Sequence, residues 1–331
     1  MCDMYIYAFW HYSQLSTNFI RGIYIVYILG DINMLCKYCG SEEVVKDGKV
    51  KGKQQYVCRS CGHKFVEGSD FPKMRVESRI ISTAIDMYYE GLSVRKVQNQ
   101  LQKIFGIQIG KSAIWKWLIK YSKLVSQYVE TLRPQPLGVY HVDETAIKCK
   151  GVQKWFWEII DEQTKFLVAS HLSGSRTTED AIALFEKSIR VAKRKPVSIY
   201  CDGLPAYVDG YNKVFYTMRK DTRPELIRRV GIKAIHNQNA VERLHGTLKD
   251  RLKAARGLKG EEKVRMLLEG WVVHYNYVRK HQTLKGKTPA QASGIDMQND
   301  WNVLVKEATK FNTITAKKDS VEEKPIEVVV E

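Results

Sequence analysis

No stretch of this 331-residue chain is both apolar and long enough to cross a bilayer. The most apolar run, residues 22–30, is roughly half of the ~20 residues that a spanning helix needs. Residues 1–20 carry Asp3 and no lysine or arginine, so the basic start of a secretory signal is missing. Proline is scarce at 8 residues and glycine reaches only 22, which excludes collagen-like and low-complexity chains. Acid is in short supply too, with 36 Asp and Glu against 53 Lys and Arg.

That deficit leaves a formal charge of +17, while 44% hydrophobic and 11% aromatic residues exclude a wholly disordered chain. The surplus sits in two central blocks, +8 over residues 34–130 and +11 over 131–300, with −1 at either end. A surface that tracks a long polyanion fits this spread better than a local membrane anchor does. Residues 1–33 are rich in Tyr, Ile and Phe, and a recognisable module begins at Met34. Two readings of this leader stay open. It is an over-extended reading frame with Met34 as the native start, or a short apolar element that packs on the body.

Four of the seven cysteines read Cys36-x2-Cys39 and Cys58-x2-Cys61, with 18 residues between the pairs; Cys2, Cys149 and Cys201 stand alone. The two-residue gap lets both thiolates of a pair reach one ion at about 2.3 Å, and four thiolates close a structural zinc site with no water position. Gly40 and Gly62 follow the pairs and supply the positive φ of a knuckle turn. Val44-Val45 and Gln55–Val57 read as strands joined by a basic turn, Lys46–Lys53, so residues 34–70 are expected to be a zinc ribbon. A pair of disulfides is the alternative. Lys46, Lys49, Lys51 and Lys53 either meet phosphates or are solvated.

Residues 71–130 carry three helical patterns. The first has Ile80, Ile81, Ala84, Ile85 and Tyr88 and stops at Glu90-Gly91. Ser93 is the expected N-cap of the second, and Ser112 of the third, which carries Ile114, Trp117, Leu118 and Tyr121. Two short helices, a glycine-bearing turn and a lysine-studded third helix make a helix-turn-helix pattern. In such a unit Lys111, Ser112, Ala113 and Lys116 would meet base edges in the major groove. An ordinary three-helix packing unit gives the same periodicity.

From residue 131 the pattern becomes α/β. Leu137–Asp143 and Val197–Asp202 read as strands that end in an acid. Residues 155–160 and 166–172 read as two more strands, 178–193 as a helix and 214–218 as a fifth strand. The order β-β-β-α-β-α-β-α predicts a mixed sheet flanked by helices. Two buried acids on neighbouring strand ends would repel, and a divalent cation would remove that cost. Glu242 is the candidate third acid, on a helix from Asn239 whose other face carries Val241, Leu244, Leu248 and Leu252. Asp209, Asp221 and Glu225 rival Glu242, and Glu144 rivals Asp143. Trp155 and Trp157 read as sheet packing, His274 and His281 as structural, residues 296–331 as a tail, and 312–331 as lacking periodicity.

Taken together, Tyr140-His-Val-Asp143-Glu-Thr, Tyr200-Cys-Asp202-Gly, Asn237-Gln-Asn-Ala-Val-Glu242-Arg and Tyr275–His281 with Lys287-Thr-Pro289 resemble a DDE-type insertion-sequence transposase. The resemblance covers roughly residues 36–295. It implies a retroviral-integrase-like, ribonuclease-H-like catalytic domain over 131–295, with Asp143, Asp202 and Glu242 as catalytic triad and ligands of Mg²⁺ (or Mn²⁺). Lys249 matches the basic residue seven positions after the family's glutamate. The resemblance further implies strand cleavage and strand transfer by two-metal chemistry. The partners are then double-stranded DNA, as terminal inverted repeats and target, and a homodimer or larger assembly on it, in the cytoplasm and with no membrane. One departure is visible: 39 residues separate Asp202 from Glu242, more than in compact members, with the surplus expected as a loop over 219–229. A DNA-binding regulator without catalysis and a stand-alone ribonuclease-H-like nuclease are the competing classes.

Overall fold

The protein is described from a computed structural model, which describes residues 34–228, 239–255 and 260–322. The readings of the leader, of residues 236–238 and of the last nine residues lie outside the described residues. The chain divides after Glu67 into two compact units.

In the first unit three antiparallel strands, β1 (Val44–Val50), β2 (Lys53–Cys58) and β3 (Lys64–Val66), lie in sequential order. The strands are longer than expected. Lys46–Val50 belongs to β1, with an irregularity between Lys46 and Lys49, and the turn shrinks to Lys51 and Gly52. Both turn residues have positive φ, 49° and 79°, the geometry that a two-residue hairpin turn demands. The four lysines of this hairpin are exposed.

The second unit starts with α1 (Ser78–Tyr89), α2 (Val94–Phe105) and α3 (Lys111–Val129). Ser93 caps α2 by accepting from the Lys96 amide, and Gly106 ends it at φ 67°. Helix α3 begins two residues earlier than expected. Gly110 is its N-cap and Ser112 already lies in the first turn. Lys111, Ser112 and Lys116 are exposed, and Ile114, Trp117, Leu118 and Tyr121 are buried.

The sheet contains β4 (Val139–Cys149), β5 (Val152–Asp161), β6 (Leu167–Ser173), β7 (Ser198–Cys201) and β8 (Glu225–Arg228), in the order β6-β5-β4-β7-β8. The first three form an antiparallel meander, and β7 and β8 run parallel to β4 and to each other. Helix α4 (Thr178–Ala192) connects β6 to β7, and α5 (Pro205–Phe215) connects β7 to β8. This is the expected mixed sheet flanked by helices. Two strand assignments need correction. Asp143 does not end its strand, because β4 runs on to Cys149 with Thr145, Ile147 and Cys149 buried and Ala146 and Lys148 exposed. Residues 214–215 close helix α5, where Phe215 is buried, and the fifth strand is Glu225–Arg228, inside the segment expected as a loop.

Helix α6 (Asn239–Ala255) buries Val241, Leu244 and Leu248. Helix α7 (Glu261–Val273) runs into a wider turn, His274–Val278. The expected tail is instead α8 (Trp301–Glu322), because Trp301, Leu304, Val305 and Ala308 form one buried stripe at helical spacing. One core unites these elements: α1 to α3, the sheet, α6, α7 and α8 contribute to a single buried cluster. Buried Arg251 lays its guanidinium 3.7 Å over the Tyr88 ring and donates to the Tyr88 and Leu92 carbonyls, closing the end of α1.

Helix α7 approaches α1 and α3 at Gly270. A Cβ there would lie 2.0 Å from the Tyr89 hydroxyl and 2.4 Å from Ser122 Oγ, which bond each other at 2.7 Å. G270A is expected to cost about 2 kcal/mol by overpacking, lowering the thermal midpoint by about 4–8 °C. G246A, at a helical glycine with no atom within 4 Å, is the control and should leave the midpoint unchanged or raise it. A G270A midpoint matching the control would remove this close contact.

Candidate active site and cysteine cluster

Asp143 from the middle of β4 and Asp202 from just beyond β7 come together with Glu144, with ligand oxygens within 4.8 Å of one another. The parallel pairing of β4 and β7, with His141 opposite Tyr200, sets this convergence. Each acid has different commitments. Asp143 accepts from the Glu144 amide at 2.9 Å, and Asp202 accepts from the Leu204 amide at 2.9 Å. The Glu144 carboxylate is occupied on both oxygens, one by the Arg176 guanidinium and one by the Tyr207 hydroxyl. Arg176 is itself fixed over the Trp155 ring at 4.3 Å.

Burial pushes Asp143 up to about 6, against the pull of His245, and neighbouring Glu144 and Asp202 push the same way. The cause is a desolvated acid with like charges beside it. His245, on α6, stands 3.9 Å from Asp143 Oδ2 through Nδ1 and 2.5 Å from Glu158 Oε2 through Nε2. Glu158 lies directly opposite Asp143 in the β4–β5 register and is fully buried. Burial pushes Glu158 up while the imidazole pulls it back. Burial opposes charge on His245, but the carboxylates of Glu158 and Asp143 outweigh it, so the imidazole is raised. The imidazole thus bridges a buried acid and Asp143.

Glu242 is exposed, in the first turn of α6, and is not part of the three-acid group among the described residues. It stands one turn before His245, and exposed Lys249 stands one turn after it, so the three share one flank of the helix. Asp209, Asp221 and Glu225 are exposed and lie outside the group. Glu158 escaped the sequence reading; its signal was a lone acid in the apolar and aromatic run Trp155–Ile160. Trp157 and Phe156 are buried in the sheet, and His274 is held by Glu90 and the Trp301 indole, as structural residues are.

In the first unit the sulfurs of Cys36, Cys39, Cys58 and Cys61 lie within 4.8 Å of one another. Cys36–Cys61 and Cys39–Cys58 are each 3.6 Å apart, and the cysteines are free. A tetrahedron with 2.3 Å bonds has edges of about 3.8 Å, so the donor set fits zinc in size and softness. Gly40 and Gly62 take φ 77° and 74°, and their amides bond back to the Cys36 and Cys58 carbonyls as knuckle turns require. Burial pushes the Cys58 thiol up, but hydrogen bonds from the Cys61 amide and the other cysteines bring it down to about 7.

Residues 138–282, which contain the acids, match the family model described as the DDE domain. The chain is similar to DDE-type insertion-sequence transposases. One relative is an uncharacterized 48.3 kDa protein of insertion element ISM1 from Methanobrevibacter smithii. It is 24% identical over 147 residues, which cover 39% of this chain and 36% of the relative. The chain therefore matches about a third of that relative's length. Among solved structures, the HTLV-2 integrase catalytic core domain in complex with magnesium aligns at 17% identity and a TM-score of 0.36, covering 48% of this chain and 97% of the core domain. The simian T-cell lymphotropic virus intasome in complex with PP2A regulatory subunit B56 gamma aligns at 16% identity and a TM-score of 0.36, covering 50% of this chain and 59% of that one. Among the described residues no helix is long and apolar enough to cross a membrane.

Proposed function

We propose that this protein is a DDE transposase, which binds the terminal inverted repeats of its insertion sequence and cuts and joins DNA at them. The observation that carries the reading is the convergence of Asp143 and Asp202, distant in sequence, inside the segment that matches the DDE family. Asp143, Asp202 and Glu242 supply only oxygen donors, the set that hard cations such as Mg²⁺ or Mn²⁺ take. Asp143, Asp202 and Glu242 would hold such cations, whose chemistry there would be activation of an attacking oxygen and stabilisation of a leaving one at a phosphodiester. Desolvation of Asp143 beside two other acids fits a site whose charge a cation offsets.

The chain's own residues orient and bind. Glu158 and His245 hold Asp143 in place, and Lys249 meets a phosphate. Phosphoryl transfer of this kind is positioning and electrostatics, so no serine or tyrosine nucleophile is required. Residues 34–70, stapled by zinc on Cys36, Cys39, Cys58 and Cys61, and residues 71–130, through Lys111, Ser112 and Lys116, read the repeat ends. The catalytic domain spans 131–295, and a homodimer or larger assembly pairs two ends.

The test uses the purified full chain with a duplex ending in the repeat of its own element. With Mg²⁺, end-specific nicks and strand-transfer products joined to a second duplex are expected, and omitting Mg²⁺ removes both. Binding with no Mg²⁺-dependent cleavage would replace this reading with a DNA-binding regulator. Cleavage with no joined product would leave a nuclease.

A further inference from the structure

The flank of α6 turned away from the acids borders a second feature. Residues 243 and 247 lie about half a turn around the helix from His245. Together with the β5–β6 turn and the segment after α7, they line a groove of about 580 Å³. Its charged residues are Lys165, Arg243, Arg279 and Lys280, and no carboxylate lines it. None of the four takes part in an ion pair among the described residues. Thr247 adds a hydroxyl to the wall. His281 stays neutral, because burial and then the neighbouring Arg279 push it down to about 4, so the groove's charge rests on the lysines and arginines.

The scaffold beneath these cations is fixed. The Arg279 amide bonds to the His274 carbonyl at 2.8 Å. The loop that follows closes on itself: the His281 amide bonds to the Lys287 carbonyl, and the Gly286 and Leu284 amides bond to the His281 carbonyl. Lys285 and Gly286 make the reversal at positive φ, and the capping box of Thr288 and Gln291 anchors its far end. Four like charges converging on one concavity repel one another unless an anion sits among them. Guanidinium groups favour anions with several oxygens, which they grip by paired hydrogen bonds.

We infer that this groove is a phosphate-binding site, separate from the acid cluster and on the other flank of the same helix. The phosphate belongs to a polynucleotide backbone or to a small anion, two sources that the experiment separates. The inference goes beyond the proposed chemistry and stands without it, since every measurement is made with Mg²⁺ omitted and no chelator present, so that there is no cleavage and zinc is kept.

The experiment compares the full-length wild-type chain with the double variant R243Q/K280Q, at two exposed positions, and with K195Q/K213Q, which removes equal charge from exposed positions outside the groove. Anisotropy of a labelled random-sequence duplex is followed across salt concentrations. Inorganic phosphate is then titrated at constant ionic strength. If the ligand is a polynucleotide backbone, R243Q/K280Q should bind the duplex about tenfold more weakly, with a log–log salt slope shallower by about 2, while K195Q/K213Q stays within about twofold of wild type. If the ligand is a small anion, duplex binding stays equal, but inorganic phosphate binds wild type saturably and R243Q/K280Q not at all. Loss of duplex binding shared equally by K195Q/K213Q would overturn the site, as would equal behaviour of all three proteins toward both probes.

Discussion

Cys58→Ser is expected to leave residues 34–66 without a fold and the chain without zinc. The reason lies in how little else holds this unit. Its buried cluster consists of Cys36, Tyr56, Cys58 and Phe65, and two of those four side chains are themselves thiols of the metal set. Three short strands with two stacked ring pairs, Tyr56 against Phe65 at 5.8 Å and Tyr38 against His63 at 4.2 Å between centroids, bury far too little apolar surface to offset chain entropy alone. Zinc bound by small modules supplies about 10–16 kcal/mol of apparent folding free energy, which outweighs every other term here. Cys58 is fully buried, so serine places a poorer, protonated donor where no water can substitute. The measurement is metal content by elemental analysis together with protease sensitivity across residues 46–53. Wild type should hold one zinc per chain and resist cleavage there until chelator is added. Cys58→Ser should hold none and be cut at once. The second unit, which has its own core, should melt at the wild-type temperature in both proteins. Retention of protease resistance after full zinc removal would end the four-thiolate reading.

Much of this architecture was legible because the physics is local. Two-residue cysteine gaps followed by glycine specify a knuckle, and Gly40 and Gly62 took the positive φ that the spacing demanded. Helix periodicity gave α1 to α3 because Ile80, Ile81, Ala84, Ile85 and Tyr88 repeat at 3.6 residues, and Ser93 and Gly106 punctuate the chain with side-chain and backbone chemistry of their own. The misreadings arose where tertiary context outvoted local preference. Val214-Phe215-Tyr216 looks β-prone, yet Pro205 at the first turn starts a helix whose Gly210 packs so closely on Ala181 that a Cβ would lie 2.8 Å away. Asp143 looked like a strand end because two acids in a row seldom continue a buried strand. Glu144 is tolerated there only because Arg176 and Tyr207, remote in sequence, meet its carboxylate. The Glu158–His245–Asp143 bridge could not be read at all, since it needs the β4–β5 register and the placement of α6.

The choice of third acid follows from the same contacts and sets the largest expected effects on catalysis. Glu144 is nearest to Asp143 and Asp202, but a cation would have to displace both the Arg176 and the Tyr207 contacts before Glu144 could bind it. Breaking a buried pair of this kind leaves a charge uncompensated and is costly. Among the described residues Glu242 has no such commitment. It is exposed, it shares a flank of α6 with His245, and His245 already contacts Asp143. In the proposed reading Glu242 is the third ligand, carried on a helix whose stripe of Val241, Leu244 and Leu248 is held in the core. Asp143→Asn and Glu242→Gln should each remove a metal-borne stabilisation of about 4 kcal/mol, a loss of about 10³ in single-turnover cleavage, with duplex affinity in the absence of Mg²⁺ retained. Glu144→Gln keeps one oxygen to accept from Arg176 and turns an NH2 toward Tyr207, whose hydroxyl can rotate to accept from it, so cleavage should fall by no more than about tenfold. Its cost should show instead as a lower thermal midpoint. Single-turnover rates in saturating Mg²⁺ for the three variants decide the matter. A collapse in Glu144→Gln with near-native rates in Glu242→Gln would transfer the third ligand to β4 and reduce Glu242 to an exposed charge at the start of its helix.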